Sequence, residues 1–128
     1  MAEKHLYMKD LHFEHLVWIS ELAFCKDELK ILEEKLREVA LKNTTMEAKA
    51  HVEHFQNQFI RQNEVIDEYR HKINEHENHL IFEAEKHPVA VEHRFFPDHA
   101  EMREEMHIFR KLYADLKHDF MNFLARYM

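Results

Sequence analysis

Glycine is absent from the chain, proline occurs twice, cysteine once, as Cys25, and serine once, as Ser20. Without glycine there is no phosphate-cradling loop, no dinucleotide fingerprint and no ordinary two-residue hairpin turn. One cysteine cannot build a disulfide framework, and one serine beside one cysteine leaves little for a nucleophile–base scheme. No basic run is present. Lysine and arginine are interspersed with glutamate and aspartate throughout, and the formal net charge is −7. Nucleic acid and anionic membrane surfaces both call for a clustered positive field, so neither is expected as a partner. The longest apolar stretches, such as Leu16, Val17, Trp18 and Ile19, fall far short of the roughly 20 residues that span a bilayer. The opening residues, from Met1 to His5, carry no secretory hydrophobic core, which points to a cytoplasmic protein.

What is present is a chain of 128 residues, 45% hydrophobic and 34% charged, the size of one domain with one core. Apolar residues recur at steps of three and four in three segments, which is the period of a helix face. The first seam runs Leu11, His15, Trp18, Leu22, Cys25, Leu29, Leu32, Leu36 and Val39. The second runs Ala48, Val52, Phe55, Phe59, Gln62, Ile66, Tyr69, Ile73, His76, Leu80 and Glu83. The third runs Met102, Met106, Phe109, Tyr113, Leu116, Phe120, Phe123 and Tyr127. Thr44 followed by Glu47, and Asp98 followed by Glu101, have the spacing of capping boxes and mark two helix starts. Pro88 stops the second helix, and the stretch from Pro88 to Pro97 reads as an extended linker packed on the bundle. The expected fold is all-α, an antiparallel three-helix bundle with long coiled-coil-like helices over about 4–42, 45–87 and 98–127.

These lengths have a consequence. At 1.5 Å per residue the first two helices reach roughly 60 Å and the third about 45 Å. The third would stop short of the turn at Thr44, leaving Leu32, Leu36, Val39, Val52 and Phe55 without a partner. A second copy covering them would make a homodimer with those five residues as its interface.

Histidine is the outlier, at 13 residues. Half-protonation of all of them would add roughly +6.5, nearly cancelling the net charge, so assembly could respond to pH between about 7 and 6. Three pairs, His12/His15, His51/His54 and His76/His79, have i, i+3 spacing, which sets two imidazoles on one helix face. Folding the hairpin near residue 44 brings His12 and His15 level with His76 and His79. Those four, with Glu83 or Glu105, form a candidate site for a divalent transition metal, zinc, iron or nickel. His51 and His54 have no obvious third ligand. Glu68 with His71, and Glu104 with His107, share the Glu-x-x-His spacing of ferritin-like di-iron bundles. The expected alignment offsets the two pairs by about 10 Å, too far for one centre. No i, i+4 histidine pair of the hemerythrin-like kind occurs.

Three functions fit these features. The first is a non-enzymatic helical interaction or scaffold module that self-associates and could take a protein partner. The second is a transition-metal-binding bundle with a histidine-rich end, and the third a pH-responsive assembly. No cofactor other than a metal is indicated, and no pairing of nucleophile and base points to an enzyme.

Overall fold

The structure, a computed structural model, describes the backbone of residues 2–86 and 91–128 and the side chains of residues 9–82, 84–86 and 98–128. It consists of three helices: α1 (Ala2–Lys42), α2 (Met46–Lys86) and α3 (Val91–Tyr127). Among the described residues no helix is long and apolar enough to cross a membrane.

The turn between α1 and α2 is held by side chains that substitute for missing helix hydrogen bonds. The backbone amide of Asn43 donates to the Val39 carbonyl at 3.0 Å, and its side-chain Nδ2 donates to the same carbonyl at 2.9 Å. Thr45, not Thr44, caps α2: its Oγ1 accepts from the Ala48 amide at 3.2 Å. Glu47 is thereby released from the expected capping box and pairs instead with Arg126 of α3 at 2.6 Å.

Contacts fix the directions of the helices. His12 and His15 of α1 meet Glu77 of α2, while Lys26 meets Asp67 and Glu33 meets Asn63, so α1 and α2 run antiparallel. Lys72 meets Glu105 and Glu47 meets Arg126, so α2 and α3 are antiparallel too. Helices α1 and α3 are parallel, and three heptad-spaced acids face three heptad-spaced bases: Glu14 with Arg103, Glu21 with Arg110, and Glu28 with Lys117. Each pair is separated by 89 positions. The Tyr113 hydroxyl adds a 2.7 Å bond to Glu28, and burial next to that carboxylate pushes the phenol well above its usual range.

The three seams meet in the core. Leu22, Leu29, Phe59, Ile66, Ile73, Met106 and Phe120 are fully enclosed. At the end near the turn, Phe55, Phe59, Phe120 and Phe123 stack in a cluster; the rings of Phe59 and Phe120 lie 5.1 Å apart at 77°, the edge-on arrangement that aromatic quadrupoles favour.

Two expectations are corrected here. The third helix starts at Val91, not near residue 98, so Pro97 is its seventh residue. A proline there forfeits one amide donor and costs about 3 kcal/mol in a helix interior; the continuous apolar seam that follows outweighs this local preference, as tertiary packing commonly does. The expected extended linker therefore shrinks to residues 87–90, which lie outside the described residues. Helix α3 is also 37 residues long, roughly 55 Å, and reaches the turn, where the Tyr127 carbonyl accepts from Asn43 Nδ2 at 3.1 Å. Leu32, Leu36, Val39 and Phe55 are consequently buried within the chain, with Val52 packed against the same cluster. The ground for a dimer interface on those five residues is removed, because α3 supplies the cover that a second copy was expected to give.

Phe120→Ala is expected to cost about 3–5 kcal/mol, the range for emptying a fully packed aromatic site. Leu112→Ala, at an exposed position, should stay within about 0.5 kcal/mol of the parent. Urea unfolding of both variants checks the core assignment, and equal losses would contradict it.

Candidate metal centre

Among the described residues, the main apolar cluster gives way to a layer of three histidines, one from each helix: His15 of α1, His76 of α2 and His99 of α3. On its other side, among the described residues, Leu11, Leu80 and Ala84 form a second cluster. His15 is 2% exposed and His99 1%, while His76 is half-buried. The ring centroids of His15 and His76 are 5.1 Å apart, those of His15 and His99 5.1 Å, and those of His76 and His99 6.0 Å. One ring nitrogen from each residue lies within 4.8 Å of the others. Trp18 closes the core side, with its ring stacked 4.9 Å from His99 at 25° and tilted against His15.

Two carboxylates set the orientation of the buried rings. Glu77 of α2 accepts hydrogen bonds from Nδ1 of His15 and Nδ1 of His12. Glu14 of α1 accepts from His99 Nε2 at 3.0 Å and is itself clamped by Arg103, whose Nε donates at 3.0 Å. Each carboxylate thus comes from a different helix than the buried ring it orients. The Arg103 hydrogen bond holds the Glu14 carboxyl below its usual range, with burial opposing and the His99 bond assisting. Burial acts to raise the Glu77 carboxyl, and the bonds from His15 and His12 outweigh it, so it too sits low.

An ionised carboxylate can only accept, so the nitrogen facing it must carry the proton. In the neutral rings this leaves His15 Nε2 and His99 Nδ1 with free lone pairs. Both atoms are buried and have no hydrogen-bond partner among the described residues. A buried polar atom without a partner costs about 1–3 kcal/mol. The surroundings also keep protons away. Burial, then the neighbouring His15 and His99, push His76 down to about 4. Burial lowers His99 as well and prevails over the opposing pull of Glu14. At neutral pH His76 and His99 are therefore neutral imidazoles, the form that binds a metal.

The layer differs from the expected ligand set in definite ways. His15 and His76 belong to it. His12 does not: it is 53% exposed and sits behind Glu77, helping to hold that carboxylate. His79 lies exposed at the rim of a cleft between α2 and α3. Glu105 is committed to Lys72 at 2.8 Å, and the Glu83 side chain lies outside the described residues. His99 was not among the expected ligands, because reading residues 88–97 as a linker placed His76 level with Phe109, about ten residues along α3, or roughly 15 Å, from its observed partner. A signal for it does exist. Extending the third seam backwards by one step of three from Met102 lands on His99.

The other histidine motifs do not converge. His51 packs against Phe123 and Tyr127, and His54 is exposed. Glu68, His71, Glu104 and His107 are all exposed, so the two Glu-x-x-His pairs do not face into the bundle as a di-iron site requires. Burial, with Glu28 and Glu21 nearby, pushes the Cys25 thiol up to about 11, so it stays protonated at neutral pH. No family model, curated protein or solved structure matches the chain.

The lowered pKa of His76 has a thermodynamic consequence. Between its folded value of about 4 and the ordinary 6.5, the unfolded chain binds more protons than the folded one. Stability should therefore be full above pH 6.5 and fall as the pH drops towards 4. Urea midpoints of metal-free protein across this range are expected to decline, and His76→Gln should flatten the decline. A variant that keeps the parent's full slope would contradict the assignment.

Proposed function

We propose that the chain is a transition-metal-binding helical bundle whose ion is held by His15, His76 and His99. The observation that carries this reading is the pair of buried lone pairs, His15 Nε2 and His99 Nδ1, each on a ring whose other nitrogen is bonded to a carboxylate. Metal-ligating histidines are typically held this way, with the second nitrogen donating to a carboxylate that fixes the tautomer and strengthens the ligand. Three imidazoles suit zinc, copper, nickel or iron. Bonds of 2.0–2.1 Å to one tetrahedral ion would draw the nitrogens to about 3.3 Å of each other, a modest closure from the present spacing. The ion would tie three helices together and would stabilise the fold by mass action.

The test uses tag-free protein purified without a metal column. Zinc at a hundredfold excess over its dissociation constant should add about 2.7 kcal/mol. For a chain of this size that is a rise of roughly 10 °C in Tm. Trp18, the chain's one tryptophan, should report copper or nickel by fluorescence quenching. His99→Leu should remain folded without metal and lose the zinc response, whereas His51→Ala should keep it. No thermal shift and no retained ion with zinc, nickel, cobalt or copper would overturn the reading.

A second reading, self-association, is supported by a different observation. Along the outer face of α1, Phe13, Phe24 and Ile31 are 65%, 64% and 68% exposed, with Leu16 and Val17 beside them. Together they present on the order of 500 Å² of apolar surface, within the range of the largest patch on a typical monomer, which is often an interaction site. One side of a standard interface buries about 800 Å², of which roughly 450 Å² is apolar. A second copy, pairing α1 against α1, would match that area. Sedimentation equilibrium should show a dimer at tens of micromolar, and Phe24→Glu should return it to a monomer. A parent chain that stays monomeric at several hundred micromolar rules out this interface.

A further inference from the structure

The three ligands surround the ion unevenly. His15 and His99 are enclosed, with Trp18 on the core side and Glu77 and Glu14 behind the rings. His76 alone of the three reaches solvent, through a cleft of about 260 Å³ between α2 and α3. Among the described residues the cleft walls carry Glu75, Asp98, Glu101 and Glu105, the rim histidine His79, and one lysine, Lys72, which is already tied to Glu105 at 2.8 Å. Zinc and its neighbours in the series seldom stop at three ligands, and sites with three protein ligands complete their shell with an exchangeable one.

Building on the metal-binding reading, we infer that the ion keeps one coordination position that opens into this cleft and takes a small, neutral nitrogen or oxygen donor in preference to an anion. Access comes from the geometry: among the described residues, His76 is the ligand that faces solvent, and it marks the approach. The preference comes from charge. Lys72 offsets Glu105, and the remaining three carboxylates, Glu75, Asp98 and Glu101, make the mouth of the cleft electronegative; in a partly water-excluded space like charges repel more strongly than in bulk water. An incoming anion meets that repulsion; water or an imidazole does not. The cleft holds a few water-sized groups, so the donor must be small.

The experiment uses full-length protein loaded with cobalt(II), whose visible absorption reports coordination number and ligand set. Cobalt retained after desalting is established first; its absence would overturn the metal site itself, and this inference with it. With cobalt bound, imidazole is expected to shift the spectrum saturably with one equivalent bound, cobalt remaining in place after a second desalting. Azide should need at least tenfold higher concentration for half-saturation. Glu101→Gln together with Glu75→Gln should narrow that gap to less than threefold while leaving cobalt retention unchanged. Retained cobalt whose spectrum responds to neither probe would show that the chain completes the shell itself and would overturn the inference alone. Equal half-saturation by azide and imidazole would overturn the preference for neutral donors.

Discussion

The height of α3 along α1 is the constraint on which the rest of the structure depends. A parallel pair of helices can slide by a heptad and still match apolar seams, so apolar matching alone leaves register loosely specified. Here Glu14, Glu21 and Glu28 face Arg103, Arg110 and Lys117 at a constant separation of 89 positions. Solvent-facing ion pairs of this kind add little stability individually, but a slip by one heptad would leave an acid at one end and a base at the other unmatched. The same height places His99 beside His15 and Trp18, and brings Tyr127 to the turn at Asn43. The histidine layer and the sealed tip are two results of one alignment.

The layer also shows how a polar group can be kept in a helical core without a backbone partner. Each enclosed ring is oriented by a carboxylate from another helix, and each carboxylate is anchored again, Glu14 by Arg103 and Glu77 by His12. The rings are thus oriented from outside, while their remaining nitrogens turn inward. The bonds to the two carboxylates fix which way each enclosed ring points, while the inward nitrogens stay unpaired.

Much of the fold was legible in the sequence, because it is written in periodicity. The seam positions from Leu11 to Val39, from Ala48 to Leu80 and from Met102 to Tyr127 are buried or half-buried. His15 and His76 were legible as layer members for the same reason, being polar residues on apolar seams. His99 was obscured by Pro97: a proline two residues earlier reads as a helix boundary, and local preference there conflicts with the packing that prevails. Glu14 and Glu77 were not legible at all. An acid on the flank of a seam looks the same in sequence whether it faces water or a histidine on the next helix, and only the register between helices tells the two apart. The tip residues Leu32, Leu36, Val39, Val52 and Phe55 were correctly seen as apolar and wrongly left bare, an error that follows directly from starting α3 too late.

The histidine layer interrupts the apolar interior. Among the described residues, a cluster running from Trp18 to the turn lies on one side of it, and Leu11, Leu80 and Ala84 pack on the other. Each helix contributes one ring, so anything bound by all three would pin three points far apart in sequence at a single height, and an unfolded chain could keep those three bonds only by closing two long loops.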